Sequence, residues 1–104
     1  MNNFEESLNS LKEELFNLEE VKAYFKLKNE IENNEELISL TKEISHLQRM
    51  MTLNIDDYEK HLDYKTQYEM CLKKYNNHPL IVNFENVKEE VYQILTSIKT
   101  IIEK

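Results

Sequence analysis

Residues 76–101 read NNHPLIVNFENVKEEVYQILTSIKTI, and this last quarter of the chain decides the fold. Phe84, Val87, Val91, Ile94, Ile98 and Ile101 recur at steps of 3, 4, 3, 4 and 3. On a helix that spacing lays six apolar side chains in one stripe, and such a stripe has to be covered by another surface. Pro79 is the only proline. It suits the first position of a helix, where its missing N–H is not needed and its fixed φ is already helical. A helix of about 25 residues, roughly 37 Å at 1.5 Å per residue, is expected from there.

Glycine is absent from all 104 residues, where average usage would place about seven. Phosphate-cradling loops, dinucleotide turns and nucleophile elbows need glycine for positive φ or for close approach of the backbone to a ligand. Those chemistries are excluded, and with one proline the chain has few places for tight hairpins. Apolar residues make up 40% of the sequence, enough for one domain over residues 1–104 with a modest core or one shared with a second subunit.

The net charge is −7, which opposes direct binding to nucleic acid. Residues 5–36 hold ten acids and four lysines, whereas the rest hold ten acids and nine bases. The acidic amino-terminal part reads as a solvated face, with a basic partner as the alternative. One cysteine, Cys71, excludes an internal disulfide and fits a reducing compartment. No 18-residue apolar run exists, so no membrane insertion is expected and the chain reads as cytoplasmic.

The remaining chain divides into amphipathic stripes separated by an Asn-x-x-acid punctuation. Phe4, Leu8, Leu11, Leu15 and Leu18 define a first helix over about 4–16, with Asn3 and Glu6 as its capping pair. Asn17 with Glu20, and Phe16 with Val21 as a hydrophobic staple, mark a corner. A second helix over 18–32 would bury Val21, Tyr24, Phe25, Leu27 and Ile31. Asn33-Asn34-Glu35-Glu36 opens a third, carrying Leu37, Leu40, Ile44, Leu47 and Met51. At the next junction Asn54 is expected to cap, with Asp57 at the third helical position and Leu53 stapled to Tyr58. The fourth helix, to about Tyr75, has a wide face: Tyr58, Leu62, Leu72 and Tyr75, with Tyr64, Tyr68 and Cys71 beside them. Short connections make successive helices antiparallel, so the expected fold is all-α, four or five helices in an antiparallel bundle or hairpin with a long carboxyl-terminal helix.

No catalytic, cofactor-binding or metal site is expected. Glu43 and His46 form the Glu-x-x-His unit of di-iron bundles, and Asp57 and His61 stand one turn apart, but the second copy of the motif is missing. Both read as surface pairs. Cys71, between Tyr68 and Tyr75 on its helix face, reads as a small buried hydrophobe, and His78 as a ring covering the start of the last helix. Tyrosines interleaved with Lys65, Lys73 and Lys74 are a pattern able to stack bases, but Asp63 and Glu69 in the same helix favour packing. Met50-Met51 reads as a core end, with partner contact as the alternative. The Phe84–Ile101 stripe is different: near-heptad spacing over about three heptads fits a partner interface at least as well as a monomer core.

The order of features resembles the YlbF/YmcA family (YheA/YmcA-like) of small helical bacterial regulators. The resemblance rests on Glu20, Tyr24, Leu27 and Ile31, on Asn33 to Leu37, and on Leu40, Ile44, Leu47 and Gln48. It continues through His78-Pro79, Val82, Phe84, Val91, Leu95, Ile98 and Ile101. The resemblance implies a non-enzymatic regulatory adaptor, a homo-oligomer or a hetero-oligomer with related members. It also implies roles in competence, sporulation and biofilm formation through ribonuclease Y-dependent mRNA processing. Some such complexes hold iron–sulfur clusters; this chain departs there, with its single mid-chain Cys71. A homodimeric coiled-coil scaffold and a metal-dependent helical enzyme are the alternatives.

Overall fold

The computed structural model describes residues 3–102. Five α-helices follow one another: α1 Asn3–Phe16, α2 Glu19–Glu32, α3 Glu35–Leu53, α4 Tyr58–Asn76 and α5 Pro79–Ile102. No strand occurs among the described residues. The all-α expectation holds, and the expected helices lie within a residue or two of their predicted bounds except at the start of α4, which comes three residues later.

The corners are where sequence and structure part. The α2 corner is one residue later than expected: the Leu18 carbonyl accepts from Lys22 N–H at 3.0 Å and so sits at the cap position. Phe16 meets Phe25 there, at 6.0 Å between ring centroids. At the next corner Asn34 caps α3 as its type demands, with Oδ1 accepting the Leu37 N–H at 3.0 Å. Between α3 and α4 the expected roles shift by three residues. Asn54 ends α3, its backbone and side-chain N–H groups both donating to the Met50 carbonyl. Asp57, not Asn54, caps α4 by accepting from the Lys60 N–H at 3.2 Å. Leu53 and Tyr58 stay exposed instead of forming a staple, because the α3 helix runs through Leu53 and the turn takes up residues 54–57.

The described residues form two compact units, and α2 and α5 each run from one into the other. One unit covers Glu30–Val82. Here α3 and α4 pack as an antiparallel hairpin, in which earlier positions on α3 meet later positions on α4. Nearer the turn, His61 Nδ1 lies 2.9 Å from the Met51 carbonyl; further from it Gln48, about one turn back on α3, donates through Nε2 at 3.3 Å to the hydroxyl of Tyr68, two turns on along α4. A carbonyl only accepts, so His61 carries its proton on Nδ1. Leu37, Leu47, Cys71 and Ile81 are the buried apolar residues of this unit. On α4 Cys71 is buried and Tyr64, Tyr68, Leu72 and Tyr75 are half-buried, so both strips of its wide face take part; Tyr58 and Leu62 are exposed, contrary to expectation. Each large side chain fully buried contributes roughly 1.5–3 kcal/mol, more than the roughly 1 kcal/mol of a cap. Packing therefore holds the hairpin together, and Asn34 and Asp57 fix where its helices begin.

The other unit gathers the chain up to Asn29 with the chain from Asn83 onward. Its one buried apolar residue among those described is Val21. Tyr24 links α2 to α5 through a ring contact with Phe84 at 5.1 Å, and packs edge-on against Phe25 at 5.2 Å. Phe25 itself is 48% exposed, so the expectation of a buried Phe25 is corrected: its ring lies at the margin of the aromatic cluster.

Candidate partner interface

The stripe on α5 is the residue set that the sequence singles out, and the structure places its members unequally. Phe84, Val87, Val91, Ile94 and Ile98 are half-buried, whereas Ile101 is 70% exposed. Phe84 is engaged with Tyr24, and Val91 faces a cavity of about 550 Å³ in the same unit. The apolar walls of that cavity include Phe16 from α1, Val21, Tyr24 and Phe25 from α2, and Val91 and Leu95 from α5. The stripe also reaches back one turn further than its six members, to Ile81, which is buried.

Outside this stripe α5 carries further exposed apolar residues that spacing alone passes over: Val82, Tyr92 and Leu95. Phe4, Leu8 and Phe16 from α1, Leu18 from the turn after it and Phe25 from α2 add exposed apolar surface. The signal for the cavity was present in the sequence only as separate stripes. Its formation depends on which faces of α1, α2 and α5 converge, a tertiary fact that periodicity does not carry.

The start of α5 is organised around His78. Its carbonyl accepts from Val82 N–H at 3.0 Å, and its Nδ1 accepts from Leu80 N–H at 3.1 Å, so this residue caps the helix that Pro79 begins. Its Nε2 lies 3.5 Å from Glu36 Oε2 in the first turn of α3. The ring covers the helix start, as expected.

The polar residues weighed for chemistry are otherwise occupied. Asp57 is a cap, and His61 is half-buried and bonded across the hairpin, so these two are structural residues and not a surface pair. Glu43 acts electrostatically on Cys71. No three His, Cys, Asp or Glu side chains gather to hold a metal ion among the described residues. Cys71 is a buried free thiol. Burial pushes its pKa up, the negative charge of Glu43 adds to this, and Lys74 opposes it. A cluster ligand has to be a thiolate, and a cluster takes several of them. One buried thiol held in its protonated form does not fit an iron–sulfur centre.

No helix is long and apolar enough to cross a membrane among the described residues. No curated protein matches the chain. The family described as control of competence regulator ComK, YlbF/YmcA, matches residues 4–104, essentially the whole chain. The chain belongs to the YlbF/YmcA family of competence regulators.

Proposed function

We propose that this protein is a non-enzymatic regulatory adaptor that works by docking other proteins through α5, with Phe84, Val87, Val91, Ile94, Ile98 and Ile101 supplying the apolar interface. The observation that carries this reading is the thin cover of the unit containing most of α5. Val21 is its one buried apolar residue among those described, whereas Phe25, Tyr92, Leu95 and Ile101 are exposed. Contiguous exposed apolar surface of this kind marks an interaction site in a soluble chain. The partners in this reading are further copies or related family members, and the output is ribonuclease Y-dependent mRNA processing in a reducing, cytoplasmic setting. The net charge of −7 supports an indirect route to RNA, through protein contacts.

The test is reciprocal capture from the native cell with the tagged full chain, set beside an Ile98→Asp/Ile101→Asp variant. Recovery of ribonuclease Y or related family members, lost in the variant while its helical spectrum stays intact, is the expected result. Unchanged recovery in the variant, or transcript ends unaltered when the gene is removed, would overturn it. A chain that forms only copies of itself would favour the homodimeric scaffold.

A further inference from the structure

The cavity between α1, α2 and α5 is apolar except for two charged side chains, Lys12 on α1 and Lys88 on α5. Among the described residues Lys12 makes no ion pair, and Lys88 meets Glu85 at the surface at 3.9 Å. In a chain of net charge −7, two cations on a greasy groove are a local reversal of sign. From Lys88 to Leu95 the groove follows α5 for seven residues, about 10 Å. Over that length a docked helix presents anchors at i, i+3 or i+4, and i+7.

We infer that this groove docks an acidic amphipathic helix of a partner protein, its apolar face entering between Phe25, Tyr92 and Leu95 and its carboxylates meeting Lys12 and Lys88. The inference deepens the adaptor reading and rests on it, since it names the chemistry of one partner segment. Apolar burial supplies the affinity, and the lysines select sign and orientation.

The experiment titrates the full chain against two fluorescein-labelled synthetic helical peptides. Both carry leucines at i, i+4 and i+7; one has glutamates flanking them and the other lysines. A chain of net charge −7 attracts the basic peptide through its overall field, so preference for the acidic one is diagnostic of the groove. The acidic peptide is expected to bind at least about tenfold tighter. Binding should weaken as salt rises, and the preference should reverse in Lys12→Glu/Lys88→Glu. Leu95→Asp should abolish both, with the helical spectrum confirming a folded chain. Equal affinity for the two peptides, or binding of neither, would overturn the inference. So would displacement of a bound apolar dye by decanoate with no peptide binding, which would make the groove a small-molecule site. Self-association that disappears in the double lysine variant would assign the groove to a second copy and overturn it likewise. These outcomes are separable from the capture experiment, because Ile98 and Ile101 lie outside the groove lining.

Discussion

His78 and Glu36 face each other across 3.5 Å, with the imidazole Nε2 toward a carboxylate oxygen in the first turn of α3. The other ring nitrogen accepts the Leu80 N–H. A nitrogen that accepts carries no proton, so the bonding describes a neutral ring whose proton sits on Nε2 and points to Glu36. The His78 side chain is only 12% exposed, whereas Glu36 is 72% exposed. The cap should therefore matter more than the contact with Glu36.

Replacing the ring tests that ranking. His78→Ala should lose about 1 kcal/mol of stability, the typical worth of a cap, while His78→Asn, which restores a side-chain acceptor near the helix start, should recover most of it. Glu36→Gln should change stability by no more than about 0.5 kcal/mol, as exposed pairs do. Urea denaturation measures all three. A Glu36→Gln loss equal to that of His78→Ala would show that the pair, not the cap, organises the junction.

Leu37 should be the most sensitive apolar position. It is 1% exposed, and its own N–H is the group that Asn34 caps. Leu37→Ala should cost about 2–5 kcal/mol, against about 0.5 kcal/mol or less for Leu95→Ala on the exposed side of α5. Equal midpoints for the two variants in urea would contradict the burial pattern.

Helix number, order and approximate length were legible because stripes at 3-4 spacing report a one-dimensional property, the angle between neighbours on one helix. Leu37, Leu47 and Val21 were all read from that spacing and are all buried. Caps were less legible because asparagine serves both ends of a helix. Asn34 begins α3 and Asn54 ends it, and nothing within Leu53–Tyr58 distinguishes the two roles until the length of α3 is known. The groove was hidden for a different reason. Lys12 and Lys88 are 76 positions apart, and only the convergence of α1 and α5 brings them to one cavity.

The α3–α4 corner gives a direct test of the revised cap. With Asp57 Oδ1 accepting from Lys60 N–H, Asp57→Ala should cost about 1 kcal/mol and Asp57→Asn much less. Stability of Asp57→Ala indistinguishable from the parent in thermal denaturation would return the cap to Asn54.

Cys71 makes a prediction in pH. Burial and the charge of Glu43 raise its pKa in the folded chain, so above the ordinary thiol value of about 8.5 the native state holds a proton that the unfolded state has lost. Stability then falls as pH rises, because the unfolded state binds fewer protons. The fall begins near the unfolded pKa and stops once the native thiol also ionises. Below that window the thiol contributes no pH dependence. Cys71→Ala should flatten the difference in stability between pH 7.5 and 9.5 relative to the parent chain, although its absolute stability drops through the lost packing. The same burial should make the native thiol react with a disulfide reagent far more slowly than the urea-unfolded chain does at pH 8. A native rate matching the unfolded one would mean that Cys71 is accessible and ionised, contrary to its packing on α4.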